Sequence, residues 1–226
     1  TVSNPSSTSS SWTAILPGLQ GRLTGAGAVA LGCAVCHDGL MRVGAFDVDQ
    51  PVPELHDVVA IAILKPWVNV GNVGTIGLRK LSRHLETTTI GRLARPGEFF
   101  DFTRYRPEMR SVGGRRVISK PNAVVRHSSD TSTGRDFLLL DLWEPHMLGE
   151  DYIESVVELL NHFGVREYCR IGGMYDSVPH TRPLPVTGSL TPEQTERAGS
   201  LVSQRGRGYQ GPTSILSLVP EMLDDS

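Results

Sequence analysis

The run Val58-Val59-Ala60-Ile61-Ala62-Ile63-Leu64 is continuously apolar, and four of its seven residues are β-branched. A strand without polar alternation is typical of a parallel sheet that is covered on both faces. Residues 137–142 form a second buried run, and residues 166–171 predict a further strand. Between these runs, residues 71–85 and 151–163 carry apolar side chains at helical spacing. The alternation predicts an α/β fold built on a mostly parallel sheet.

Weaker signals extend this pattern on both sides. Residues 87–93 are rich in β-branched residues and predict another strand. Residues 117–125 predict a weaker strand, which Pro121 interrupts at an edge or a bend. A helix is expected after Thr191, because Pro192 stands in its first turn and Gln194 completes a capping box.

The first 50 residues read differently from the rest. Residues 1–11 are almost entirely Ser, Thr, Asn and Pro, a composition that buries too little apolar surface to order itself. Residues 12–50 are rich in Gly and Ala, and their periodicity is poor. We therefore expect a poorly ordered or irregular segment over residues 1–50, followed by a single α/β domain over residues 51–226.

Composition excludes two classes of partner. A formal net charge of −2 over 226 residues gives no basic footprint, so we expect no nucleic-acid partner. The longest apolar runs fall short of the roughly 18 residues that a membrane helix needs, so we expect no membrane partner. The chain has three cysteines, an odd number that forms no disulfide framework, and this favours a cytoplasmic setting.

Two cofactor motifs in the first 50 residues lack their structural context. Cys33, Cys36 and His37 match the c-type haem attachment pattern, but no helical pocket or distal ligand accompanies them. The same three residues lack a fourth ligand for zinc. The glycines at 25 and 27, with Asp47 and Asp49 further on, resemble a dinucleotide fingerprint whose preceding strand is missing. We expect no cofactor and no metal site.

Polar residues collect where the predicted parallel strands end. Ligands in open α/β sheets bind outside the carboxyl ends of the strands, so these loops are the best candidate site. His180 and Arg182 would hold an anion there through charge-assisted hydrogen bonds, or would act as a structural clamp. The ligand-binding candidates after the strands are Trp67, Asn69, Asn72, Glu144, Gly172, Gly173, His180 and Arg182.

Other features bear on the type of function. Arg104 and Arg106 lie among aromatic residues on a long connection, a composition that fits a subunit contact as well as a substrate contact. The chain has no Gly-x-Ser-x-Gly elbow and no phosphate-binding P-loop, so no catalytic residue is assigned.

These motifs together resemble one family. The segments that carry the resemblance are Pro53-Glu54-Leu55-His56-Asp57, Trp67 to Asn72, Asp101 to Pro107, Glu144-Pro145, Val178-Pro179-His180-Thr181-Arg182-Pro183 and Tyr209-Gln210-Gly211-Pro212-Thr213. In this order they are similar to the proteasome assembly chaperone 2 family, which also has bacterial and archaeal members labelled as ATP-grasp-related. The resemblance adds Tyr209, Gly211 and Thr213 to the candidate residues.

The resemblance implies a three-layer α/β/α sandwich similar to the nucleoside phosphorylase fold, with homo-oligomers common. It also implies a C-terminal part that is incomplete relative to the family. The function it implies is a non-catalytic, assembly-chaperone-like role with proteasome-like subunits as partners. The competing hypothesis is an enzyme or binder, ligase-like or phosphorylase-like, that takes an anionic or nucleotide-like small molecule at the strand ends.

Overall fold

The computed structural model describes residues 13–16, 39–52, 54–130, 133–175, 178–179, 181–204 and 211–224, and of residues 13–16 it describes the backbone alone. The strands are β1 (Thr13–Leu16), β2 (Leu40–Val43), β3 (Phe46–Asp49), β4 (Val59–Lys65), β5 (Thr88–Leu93), β6 (Glu108–Val112), β7 (Arg115–Ser119), β8 (Val124–Asp130), β9 (Arg135–Trp143), β10 (Glu167–Arg170), β11 (Gly173–Met174), β12 (Val186–Gly188) and β13 (Ser203–Gln204). The helices are α1 (Val73–His84), α2 (Gly149–His162), α3 (Pro192–Ala198) and α4 (Leu218–Asp224).

A seven-stranded sheet, in the order β10-β4-β9-β8-β5-β3-β2, organises the chain. Its β10, β4 and β9 strands are parallel neighbours, with Ala60 opposite both Tyr168 and Leu138. These are the three strands that the apolar runs predict, and their carboxyl ends lie at one edge of the sheet. The loops that follow them are therefore brought close together.

The remaining four neighbouring pairs of the large sheet are antiparallel, so the sheet is mixed. Turns join β2 to β3 and β8 to β9, whereas β4 and α1 lie between β3 and β5, and the β6–β7 hairpin lies between β5 and β8. A parallel pair needs a crossover connection, and α2 lies in the connection from β9 to β10. The predicted α/β class is confirmed, and in the large sheet the parallel pairing is limited to β10, β4 and β9.

Helices cover both faces of the parallel strands and give three layers. On one face, Leu78 of α1 packs against Ile63 and Leu139. On the other face, α2 buries Tyr152, Ile153, Val156, Leu159 and Leu160 in the main core. Successive residues of a strand point to opposite faces, so a strand between two helical layers must be apolar throughout. Among the described residues, no helix is long and apolar enough to cross a membrane.

A second, four-stranded sheet in the order β11-β1-β12-β13 lies beyond the end of β10. Its strand β1 belongs to the first 50 residues, as do β2 and β3 at the edge of the large sheet. The sequence predicted no element there, because these strands are four residues long and too short for a periodic signal. The division of the chain at residue 50 stays a prediction.

The predicted strand over residues 117–125 is two strands in the structure. Pro121 lies between β7 and β8. Within the part of the chain that the structure describes, β7 pairs only with β6, in a two-stranded hairpin outside both larger sheets. Proline donates no backbone hydrogen bond, so it separates the two pairings where the sequence suggested an edge or a bend.

Candidate functional site at the strand ends

A cavity of about 100 Å³ lies at the carboxyl ends of β4 and β10. Trp67 and Val68, from the loop after β4, form one wall together with Gly172 from the loop after β10. The opposite wall comes from the C-terminal segment, through Thr213 and Leu216. Three of the predicted site residues, Trp67, Gly172 and Thr213, are therefore brought together although they are far apart in the chain.

The two loops cross at Gly172 with no room for a side chain. A Cβ atom built on Gly172 would overlap the carbonyl oxygen of Val68 and would lie 2.8 Å from its Cγ1. The next residue, Gly173, donates its N–H to that same carbonyl at 2.9 Å. Glycine is required here because two backbones approach closely, and this contact fixes the position of Trp67 beside β10.

Asn69 and Asn72 hold the loop after β4 against α1 and do not line the cavity. Asn69 is buried, its amide Nδ2 donates to Thr75 Oγ1 at 2.9 Å, and its Oδ1 accepts the Thr75 N–H at 3.1 Å. Asn72 precedes α1 in the left-handed conformation, with φ of 62°. Both residues join the loop to the first turn of α1, so their role in this structure is to hold the backbone.

Polar groups form a chain along the floor of the cavity. Arg170 Nη1, at the end of β10, donates to Ser217 Oγ at 2.7 Å. Ser217 Oγ lies 2.7 Å from Thr213 Oγ1. The rest of the lining is largely apolar, including Ile171 and Leu216. The cavity therefore suits a small group that is mostly apolar with one polar end.

Cys169 lies next to Arg170, but it is not a reactive thiol. Burial raises its pKa to about 11, and the nearby Arg170 opposes this only in part. The thiolate is the nucleophilic form of cysteine. Cys169 is therefore protonated at neutral pH, and it does not line the cavity.

Glu144 follows β9 at the same edge of the sheet but outside the cavity lining. Its N–H donates to the Lys65 carbonyl at 2.7 Å, and its own carbonyl accepts the Tyr105 hydroxyl at 3.1 Å. Its carboxylate oxygen Oε2 is buried without a hydrogen-bond partner among the described residues. This burial raises the pKa of the Glu144 carboxyl group above its ordinary value.

The other candidates do not join the cavity. Arg104 is exposed and lines a separate open pocket with Asp101 and His146, and Arg106 is exposed beyond it. Arg182 is also exposed, and its N–H donates to the Pro179 carbonyl at 2.9 Å. Gly211 is exposed outside the lining. His180 and Tyr209, like the Cys33, Cys36 and His37 motif, lie outside the described residues.

No cluster of metal-ligating side chains occurs within the described part of the chain. Of the residues that could line one rim at the strand ends, Trp67 lines the cavity, Asn69, Glu144 and Arg182 do not, and His180 lies outside the described residues. Side chains of Asn69 and Arg182 point to different surroundings because the first anchors α1 and the second lies on an exposed turn.

One prominent surface was missed by reading the sequence. The arm, defined as the β6–β7 hairpin over residues 108–119, has ten strand residues that are all exposed. Met109 and Ile118 face each other across the hairpin with 61% and 63% of their surfaces exposed. Its turn, Gly113-Gly114, has positive φ at both residues. A Gly-Gly pair between two short strands is the signal that would have found it.

A buried polar network was missed as well. Asp136 Oδ1 lies 2.7 Å from His127 Nε2 and accepts the Ser129 hydroxyl at 2.6 Å. Asp136 Oδ2 accepts the backbone N–H of His56 at 2.6 Å. Both oxygens of Asp136 are thus used to join the loop before β4 to the β8–β9 hairpin. The serine bonds to the aspartate, not to the histidine, so this is no nucleophilic triad.

The fold and its strand-end loops define a family of α/β proteins. The PAC2 family model matches residues 63–225, and the chain belongs to the PAC2 family. This confirms the resemblance that the loop motifs indicate. No curated protein matches the chain.

Three solved structures are similar to it. A PAC2 family protein from Streptomyces avermitilis MA is 25% identical with a TM-score of 0.63, over 74% of this chain and 69% of that one. A Mycobacterium tuberculosis proteasome-assembly chaperone homologue is 21% identical with a TM-score of 0.62, over 74% and 70%. A Corynebacterium glutamicum ATCC 13032 protein of unknown function is 24% identical with a TM-score of 0.62, over 80% and 68%. The last two likenesses concern the fold alone.

Proposed function

We propose that this chain is a non-catalytic protein-binding member of the PAC2 family that acts in subunit assembly. The observation that carries the proposal is the arm. Its four large apolar side chains, Met109, Val112, Val117 and Ile118, are all exposed. An isolated two-stranded hairpin is marginally stable in water. A partner that covers these apolar side chains would therefore stabilise the arm.

The charge of the arm indicates what the partner surface carries. The arm holds three basic residues, Arg110, Arg115 and Arg116, and one acidic residue, Glu108. Exposed apolar residues among arginines are typical of the centre and rim of a protein interface. The partner surface we propose is therefore acidic around an apolar patch, and the charges would steer its approach.

A second copy of this chain offers an acidic surface. Glu150, Glu154 and Glu158 recur at every fourth residue of α2, and all three are exposed. The inner face of α2 is buried, so this acidic stripe is free to meet the arm of another copy. We include a homo-oligomer built on this contact in the proposal.

Subunits of a proteasome-like particle are the proposed partners in assembly. The support is the family membership, together with the similarity of the fold to a Mycobacterium tuberculosis proteasome-assembly chaperone homologue. We include a cytoplasmic location in the proposal, because the free thiol of Cys169 would stay reduced there.

Native mass spectrometry tests this role directly. The purified chain is mixed with α-type and with β-type proteasome subunits in separate samples. We expect a defined complex with one subunit type, of fixed stoichiometry, that weakens as salt is raised. If the chain forms a complex with neither subunit type, the proposal is wrong.

A second candidate function rests on the cavity. We propose, as the alternative, that it binds a small molecule that is mostly apolar with one polar end near Ser217. Its volume of about 100 Å³ is below the roughly 300 Å³ of common ligand pockets, which makes a nucleotide a poor fit. A thermal-shift screen of nucleotides and small carboxylates, repeated with Trp67→Ala, distinguishes these ligands. If no compound raises the melting temperature in a Trp67-dependent manner, this alternative is wrong.

A further inference from the structure

A polar cleft of about 190 Å³ lies on the other face of the parallel strands, beside α1. One wall is a single helical face, since Thr75, Arg79 and Ser82 are spaced by four and three residues. The facing wall is the sheet, where Arg126 of β8 lies opposite Leu139 of β9, and Asp141 follows two residues on. The α1 helix packs on β4 and β9, so the cleft opens at its edge.

The charges in this cleft do not cancel. Its one acid, Asp141, is engaged by Lys65, whose Nζ lies 2.6 Å from Oδ1. Within the described part of the chain, no salt bridge joins Arg79 or Arg126 to a carboxylate. Two guanidinium groups that converge on one concave surface create a positive potential there.

The hydroxyl groups of the cleft add hydrogen-bond donors. Thr75 Oγ1 accepts the Asn69 amide at 2.9 Å, so its own hydroxyl proton is available to a ligand. Ser82 Oγ lies 2.6 Å from Thr87 Oγ1, a contact that positions it at the C-terminal end of the same wall. The hydroxyl proton of Thr75 and a surplus of positive charge suit an oxyanion.

We propose that this cleft binds the phosphate or carboxylate group of a small polar molecule, gripped between Arg79 and Arg126. The site is independent of the arm and of the strand-end cavity, which lies on the opposite face of β4. It assigns an anion-binding role to residues outside all of the sequence motifs. Arginine suits this role because its planar fork donates two parallel hydrogen bonds to one oxyanion.

Calorimetric titration with inorganic phosphate, and separately with succinate, tests the site at constant ionic strength. We expect saturable binding of at least one of the two anions, and the stronger one identifies the group. Arg79→Gln removes a charge-assisted hydrogen bond and is expected to weaken binding by about tenfold or more. Arg126→Gln is expected to have the same effect, and Arg79→Lys to restore part of the affinity.

Arg116→Gln, in the arm, is the matched control and should leave the affinity unchanged. Arg79 is exposed on the surface of α1, so its substitution keeps the fold even if that of Arg126 does not. The proposal is wrong if neither anion binds the unaltered chain, or if Arg79→Gln binds as tightly as the unaltered chain does.

Discussion

Gly172 is the residue on which the geometry of the strand-end loops depends. We predict that Gly172→Ala destabilises the fold by about 1–3 kcal/mol or more, since its Cβ would meet the backbone of Val68. The free energy of unfolding in urea measures the effect. Gly77→Ala is the matched control, because a Cβ at Gly77 meets only Ile171 Cδ1, at 3.8 Å. This control should be neutral or stabilising by up to about 1 kcal/mol, and equal losses for the two variants would contradict the close approach.

Asp136 is expected to give the chain part of its acid sensitivity. Burial alone would raise the pKa of its carboxyl group, but the hydrogen bonds from Ser129, His127 and the His56 backbone together lower it. A lowered pKa in the folded state stabilises the fold above the ordinary value of about 3.9, and this stabilisation disappears as the pH falls through the folded-state pKa.

We therefore predict that Asp136→Asn costs about 1–3 kcal/mol at neutral pH and that the difference from the unaltered chain shrinks in acid. Unfolding measured from pH 7 downward checks this. Asp47→Asn, which breaks a surface ion pair with Arg42, should cost about 1 kcal/mol or less. A difference for Asp136→Asn that stays constant with pH would rule out the ionised network.

Glu144 is predicted to have the opposite signature. Its pKa is raised by burial, so ionisation at higher pH opposes folding. The contribution of Glu144 to stability should be highest below about pH 4.3, the ordinary pKa of glutamate, and should fall as the pH rises through the folded-state pKa. Glu144→Gln removes this penalty, so it should be at least as stable as the unaltered chain at neutral pH. Thermal unfolding of both proteins across the same pH range tests this. A marked loss of stability in Glu144→Gln at pH 7 would contradict the prediction, because it would show that the carboxylate has a stabilising partner.

At the scale of elements, the two sides of α1 have different roles. Its apolar side holds the helix on β4 and β9 through Leu78, and its polar side forms one wall of the polar cleft. Leu78→Ala should cost about 2–5 kcal/mol, because the cavity that remains lies between Ile63 and Leu139. Ile76→Ala, on the exposed side of the same helix, should change the free energy of unfolding by less than about 0.5 kcal/mol. Urea denaturation of the two variants compares them, and similar losses would mean that α1 does not pack as described.

The elements differ in how well sequence alone predicts them. The strands β4 and β9 and the helices α1 and α2 were predicted, because burial on defined faces leaves a long apolar pattern. The β2 and β3 strands were missed, since each is short and its pairing depends on distant residues. The arm was missed for the opposite reason: none of its strand residues is buried, so no hydrophobic alternation marks it.

The candidate site was predictable to the same extent. Strand order implied that loops after parallel strands converge, and Trp67 and Gly172 do meet in the cavity. Which way each side chain points depends on packing that no local pattern records. Asn69 is buried under the loop for this reason, and the Arg79 and Arg126 pair, on separate elements, leaves no motif at all.

At the scale of the whole molecule, charge is distributed unevenly. With the arm set aside, 19 basic and 23 acidic residues remain, so the arm is basic and the rest of the chain is acidic. Such a molecule should associate through the arm and the α2 stripe, and the association should weaken with salt. Sedimentation velocity at low and high salt measures this. A single monomeric species at every salt and protein concentration would contradict the homo-oligomer.

The central claim is that the arm is the protein-binding surface, and the affinity of an arm variant tests it most directly. Met109→Ser and Ile118→Ser are combined, and the double variant is titrated against the proteasome subunit that binds the unaltered chain. Both side chains are exposed, so the fold should be unchanged, while binding should weaken by about tenfold or more. Ile76→Ser, which replaces an apolar side chain on α1 that is 47% exposed, should bind as the unaltered chain does. An unchanged affinity for the double variant would contradict the claim.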